Sequence, residues 1–163
     1  MNILKANSAD IDTILNLIDS AAVWLHEIGI DYQWAPDKVY QRRDHFAALA
    51  DSGKFYRVQH HDRTVATFML DWVDEELWED DGSAGYLGYF TVDRAYAGEG
   101  VGRYILAWVA EQVVNNHRSK LRLDCVAENS GLNRYYQSQG FVQVGQFRYS
   151  DGVDAVLYEK RLN

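Results

Sequence analysis

Apolar residues recur along the first thirty positions at the spacing of one helix face. Ile11, Ile14, Leu15, Ile18, Ala22 and Leu25 follow Ser8, which suits an N-cap, and Gly29 suits the stop. A second helix is expected from Pro36 through about Asp51, with Val39, Phe46, Leu49 and Ala50 on one side and Gly53 beyond its end. The period then shortens. Residues 54–60 and 64–72 are rich in β-branched and aromatic side chains and read as a hairpin around His61, Asp62 and Arg63. Further along, 86–92 reads as a strand and 101–114 as a helix through Ile105, Leu106, Val109 and Val113. Residues 121–126 read as a strand, 131–139 as a short helix, and 141–147 with 153–160 as a closing hairpin around Ser150, Asp151 and Gly152. Two helices thus precede a hairpin, followed by strand, loop, helix, strand, helix and two strands. The expected fold is mixed α/β, with one parallel crossover in its middle.

Composition narrows this picture. A chain of 163 residues and 18.7 kDa fits one domain, and 47% hydrophobic content supplies its core. Sixteen Lys and Arg against 24 Asp and Glu leave a net charge of -8, which disfavours nucleic acid as a partner and favours cations. The single cysteine, Cys125, excludes an intrachain disulfide framework and a Cys-rich zinc site, and fits a reducing cytoplasm as a buried strand residue. His60 and His61 lie beside a turn without neighbouring ligands, so no metal site is expected. The N-terminal segment has no signal-peptide pattern, and no apolar run is long enough to cross a bilayer. A homodimer is compatible with all of this.

Two segments carry candidate chemistry. Asp71, Asp74, Glu75, Glu76, Glu79, Asp80 and Asp81, interleaved with Trp72, Leu77 and Trp78, form either a solvated loop or a rim that recruits a cation. Gly98, Gly100 and Gly102 stand at alternate positions between a strand and a helix, where backbone N–H groups and the helix N-terminus make an anion cradle. The spacing is not that of a P-loop, because Arg103 and Tyr104 follow Gly102. It is not that of a dinucleotide fingerprint either, because Ile105 stands where the third glycine belongs.

In this setting the chain resembles the GNAT N-acetyltransferase superfamily. Its Gln/Arg-x-x-Gly-x-Gly/Ala signature is matched by Ala97-Gly98-Glu99-Gly100-Val101-Gly102, with Ala97 in place of the usual Gln or Arg. Its Asn-x-x-Ala-x-x-x-Tyr-x-x-x-Gly-Phe element is matched from Asn129 through Tyr136 to Gly140 and Phe141, with Leu132 at the usual small position. The resemblance spans nearly the whole chain. It implies a central, mostly antiparallel sheet of about six or seven strands with helices on both faces, in which the strand bearing Phe90 and Val92 splays from that bearing Leu123 and Cys125. It also implies acetyl-coenzyme A as co-substrate, held by Phe90, Thr91, Val92, Gly98, Glu99, Gly100, Val101, Gly102, Arg103, Asn129 and Tyr136, and no metal.

The resemblance further implies direct attack by an amine in a ternary complex. An N–H of the strand near residues 89–92 would stabilise the oxyanion, and Tyr136 would donate to the leaving thiolate. Reference values near 10 for a phenol and 8.5 for a thiol make full proton transfer uphill by roughly 2 kcal/mol, so a shared proton is expected. Tyr135, on another helix face, is expected in the core. Many relatives carry a glutamate base on the strand before the glycine loop, but here that strand reads Tyr-Leu-Gly-Tyr-Phe from Tyr86. The base candidates are therefore Asp71, Asp74, Glu75, Glu76 and Asp124. The acceptor is expected to be the primary amine of a small cationic molecule, met by Gln33, Trp34, Asp71, Asp74 and Glu75, while Trp24 extends the first helix. The alternative is a catalytically silent module of the same fold that binds coenzyme A or another ligand.

Overall fold

The computed structural model describes residues 1–31 and 35–163. Seven strands hydrogen-bond in the order β1-β2-β3-β4-β5-β7-β6, where β1 is Asn2–Lys5, β2 Phe55–His60, β3 Arg63–Asp71, β4 Ala84–Val92, β5 Lys120–Val126, β6 Val142–Arg148 and β7 Asp154–Arg161. The β1–β2, β2–β3, β5–β7 and β6–β7 pairs are antiparallel. The β4–β5 pair is parallel, with Ala84, Gly85 and Tyr86 opposite Lys120, Leu121 and Arg122. The helices are α1 Ile11–Glu27, α2 Arg43–Asp51, α3 Val101–Asn115 and α4 Ser130–Ser138. The expected mixed α/β class and the parallel crossover through α3 are present, and the sheet, expected at about six or seven strands, has seven among the described residues.

The chain forms two compact units, one of Met1–Leu70 with Tyr89–Ile105 and one of Asp71–Gly88 with Leu106–Asn163. In the first, Ile11, Ile14, Leu15, Ile18, Phe46, Ala50 and Phe55 build a buried cluster, with Met69 and Tyr89 packed against it. The helical period of α1 places its apolar stripe on this cluster; beyond its end Gly29 holds a φ of 83° and the Ile30 N–H returns to the Leu25 carbonyl at 2.8 Å. The second unit buries Leu121, Leu123, Cys125, Tyr136, Phe141, Ala155 and Tyr158. Tyr136 meets Phe141 and Tyr158 at ring-centroid distances of 5.7 and 6.2 Å.

Four expectations are corrected. A strand, β1, precedes the first helix; only Ile3 of its four residues is half-buried, so no apolar alternation announces it. The N-terminal cap is Asn7 and not Ser8, because Asn7 accepts from the Ala9 N–H at 2.9 Å while Asp10 accepts from the Asn7 N–H, a reciprocal box around a short 3-10 turn. Pro36 does not open the second helix: it sits in a turn, a 3-10 segment Lys38–Arg42 follows, and α2 begins at Arg43. Of the two adjacent tyrosines of α4, Tyr136 is the core residue at 4% exposure and Tyr135 is half-buried, since the ring that faces β7 is the one in register with Phe141 and Tyr158.

Candidate active site

In the first unit, β4 leads through a 3-10 turn, Arg94–Tyr96, into the glycine loop. The Asp93 carboxylate accepts from the Ala95 N–H at 2.9 Å and closes that turn, while the Arg94 guanidinium lies 3.7 Å from the centroid of the Trp24 ring on α1. Gly98 and Gly100 hold φ values of 82° and 81°, which an L side chain adopts only at a cost of about 1–2 kcal/mol. A Cβ at Gly98 would meet nothing within 4 Å, so this face of the loop is open. Beyond it α3 begins at Val101, and its first-turn amides at Val101, Gly102 and Arg103 have no intrahelical acceptor by construction. The Arg103 guanidinium lies 3.6 Å from where a Gly100 Cβ would stand, which brings a cation to the loop although Ala97 supplies none. This donor set fits a phosphate or pyrophosphate. Phe90 and Val92 are half-buried and Thr91 is buried on β4; Glu99 is exposed.

In the second unit, Asp124 sits on β5, where the Tyr149 hydroxyl donates to its Oδ2 at 2.7 Å. Burial pushes the Asp124 carboxyl above the usual aspartate value; the Tyr149 hydrogen bond opposes this, and the charges of Asp74 and Glu76 add to it. Burial and the Asp124 charge likewise push the Tyr149 phenol well up. Next along β5, the buried Cys125 thiol is raised to about 12, first by burial and then by Asp124, so it stays protonated and is not a nucleophile. Burial also raises the Tyr136 phenol well above its ordinary value, with Cys125, Tyr135 and Asp124 adding to it. Tyr136 is thus a neutral phenol. The Asn129 carboxamide accepts from the Leu132 N–H at 3.1 Å and caps α4, the helix that carries Tyr136.

The acidic segment is ordered by its own contacts. Arg122, 7% exposed, donates to Glu159 at 2.9 Å and to the Tyr86 hydroxyl at 3.2 Å, and its guanidinium lies 4.9 Å from the Trp78 ring centroid. Tyr86 in turn donates to Asp80 at 2.8 Å; burial and then Asp80 raise its phenol to about 12. Arg118 donates to the carbonyls of Trp72 and Ala84, and Lys120 to Asp81 at 3.2 Å. Asp80 and Asp81 are therefore engaged within the fold. Asp74 accepts from the amides of Glu76 and Leu77, Asp71 is half-buried at the end of β3, and Glu75 is exposed. Gln33 and Trp34 lie outside the described residues. Sequence reasoning missed Tyr149, whose only signal was a tyrosine just before the last hairpin turn. It also missed Arg42 and His45, which both hydrogen-bond the Tyr89 hydroxyl at 3.1 Å. Among the described residues, no group of three or more His, Cys, Asp or Glu could hold a metal ion, and no helix is long and apolar enough to cross a membrane.

The chain order is a strand, an open glycine cradle, a helix, a strand parallel to the first, and a tyrosine-bearing helix. Comparison with known proteins identifies the family. The model of the acetyltransferase (GNAT) domain matches residues 37–162, and the chain belongs to that family. The uncharacterized N-acetyltransferase YesJ of Bacillus subtilis is 28% identical over 160 residues, covering 94% of this chain and 86% of that protein. The ribosomal-protein-alanine N-acetyltransferase of Brucella melitensis superimposes with a TM-score of 0.72 at 18% identity, over 99% of this chain and 100% of that one. The yncA protein of Salmonella typhimurium, solved with its cofactor acetyl-CoA, gives 0.68 at 18% identity over 100% and 94%. The protein is an N-acetyltransferase.

Proposed function

We propose that the protein transfers an acetyl group from acetyl-CoA to the primary amine of a small cationic molecule, by direct attack in a ternary complex, within one catalytic domain spanning residues 1–163. In this reading it acts in the cytoplasm, where a buried reduced Cys125 is at home. Acetyl-CoA, when bound, supplies the reactive thioester. The amides of Gly98, Glu99, Gly100, Val101, Gly102 and Arg103, with the Arg103 guanidinium, hold its pyrophosphate. The backbone of Phe90, Thr91 and Val92 binds the pantetheine arm and donates to the thioester oxygen as charge develops there. Asn129 fixes the start of α4, and Tyr136 donates to the departing sulfur. Because burial raises the Tyr136 phenol, outright proton transfer is further uphill than the roughly 2 kcal/mol of the reference values; Tyr136 works by hydrogen bonding.

Asp124 is the proton acceptor, and its environment is the observation that carries the proposal. An alkylamine near pKa 10.4 pays roughly 4.6 kcal/mol to be neutral at pH 7, so a base is needed. A desolvated carboxylate with a raised pKa is a better base than an exposed one, since proton transfer is most effective when the base titrates near the working pH. In this proposal Asp71, Asp74 and Glu75 draw the cationic body of the acceptor, and Gln33 and Trp34 are further substrate-binding residues. The test follows free thiol while the protein is incubated with acetyl-CoA and polyamines, aminoglycosides, amino acids or peptides. Thiol release with a polyamine or aminoglycoside supports the reading; tight acetyl-CoA binding without release from any acceptor would favour a silent binding module.

A further inference from the structure

Within β4 the backbone turns at Tyr89, whose φ of 47° is a left-handed conformation that a bulky side chain adopts only when its surroundings force it. The surroundings are on one side of the first unit. The Tyr89 ring packs at 4.9 Å from Phe46 and 5.9 Å from Phe55, between centroids. Its hydroxyl is held twice from the Lys38–Arg42 turn and α2: Arg42 Nη2 donates to it at 3.1 Å, and His45 Nε2 lies 3.1 Å away. Burial and the neighbouring Arg42 push the His45 imidazole down, towards its neutral form. The phenol oxygen accepts from Arg42; with the neutral imidazole proton on Nδ1 the phenol donates to His45 Nε2, and with it on Nε2 the phenol oxygen accepts a second time, so the hydroxyl is held from both residues in either tautomer. On the backbone, the Thr91 hydroxyl reaches the Tyr89 carbonyl at 3.4 Å.

We propose that Arg42 and His45 clamp the Tyr89 phenol so as to hold this kink, and that Tyr89 is thereby a positioning residue for the amides of Phe90, Thr91 and Val92. The inference rests on the proposed role of those amides toward acetyl-CoA. A kinked strand re-aims the residues that follow it, and a ring wedged in a core cluster with its hydroxyl held from α2 fixes how far the re-aiming goes. Neither Arg42 nor His45 touches the reacting atoms in this account.

The experiment measures acetyl-CoA affinity by calorimetry, the melting temperature, and kcat and KM with an acceptor that the wild type turns over. Tyr89→Phe keeps the ring and loses both hydroxyl bonds; it is expected to weaken acetyl-CoA binding about fivefold and to lower kcat more than it raises the acceptor KM. His45→Phe loses one of these bonds and should cost less, and the double variant should be no worse than Tyr89→Phe, which already lacks the hydroxyl that both partners hold. His45→Gln keeps a side chain that can donate to or accept from the phenol and should restore most of the affinity lost in His45→Phe. Equal affinity and kcat in Tyr89→Phe and wild type, or losses that only follow a lowered melting temperature and are not restored by His45→Gln, would overturn the inference. A wild type with no affinity for acetyl-CoA would instead overturn the cofactor reading beneath it, and this inference with it.

Discussion

The Tyr149 hydroxyl donates a 2.7 Å hydrogen bond to Oδ2 of Asp124, joining a residue beside the last hairpin turn to the middle of β5. That bond opposes the burial that raises the Asp124 carboxyl, so its removal must raise the carboxyl further. Tyr149→Phe is therefore expected to move the acid limb of the kcat/KM profile to higher pH while leaving activity at alkaline pH nearly intact. An unmoved acid limb would detach Asp124 from proton transfer.

Asp124→Asn should lower kcat/KM by about a hundredfold or more, the scale of a lost general base, and should stabilise the fold at neutral pH. Because the folded-state pKa lies above the usual aspartate value, the folded chain binds this proton more readily than the unfolded one. Stability is therefore lost as pH rises through the interval between those two values, and remains lower above it. Paired thermal melts at pH 7 and pH 3.5 check the sign: the variant should melt higher at pH 7, and the gap should close at pH 3.5.

Tyr136→Phe removes one hydroxyl from a ring packed on Phe141 and Tyr158 and leaves the packing in place. Its expected effect is a fall in kcat of roughly tenfold to a hundredfold, with acetyl-CoA affinity within about threefold of wild type. Stopped-flow thiol release against equilibrium binding separates the two quantities, and unchanged kcat would take Tyr136 out of the donor role.

At Gly100 the φ of 81° is the constraint, and the nearest atom to an added Cβ is the mobile end of Arg103. Gly100→Ala should cost about 1–2 kcal/mol of stability and weaken acetyl-CoA binding severalfold. Gly131→Ala on α4 has no such φ and only Asn129 Oδ1 nearby, at 3.9 Å, so it should leave affinity unchanged. Calorimetric titration of both variants checks the contrast.

Much of the fold was legible because it is written in local period. The stripe from Ile11 to Leu25, the hairpin around His61 and the α3 face through Val109 each repeat at the spacing of their element. The glycine loop and the α4 segment were legible because their chemistry constrains neighbours in sequence. What escaped lacks either property. β1 is a four-residue strand at the end of the strand order and buries too little to alternate. Asp124 and Tyr149 lie 25 positions apart, and Arg42 and His45 lie 47 and 44 positions from Tyr89, so only strand pairing and helix packing reveal them. The acidic segment showed its charge in sequence but not that Arg118, Lys120 and Arg122 engage part of it.

The central claim concerns the acceptor, and a direct competition tests it. Purified protein, acetyl-CoA, and equal concentrations of a polyamine and a peptide with an N-terminal alanine are sampled by mass spectrometry over time. The account predicts acetylated polyamine forming at least about tenfold faster than acetylated peptide, a difference of roughly 1.4 kcal/mol in transition-state stabilisation, with the rate collapsing in Asp124→Asn. Preferential acetylation of the peptide would contradict the small-amine assignment.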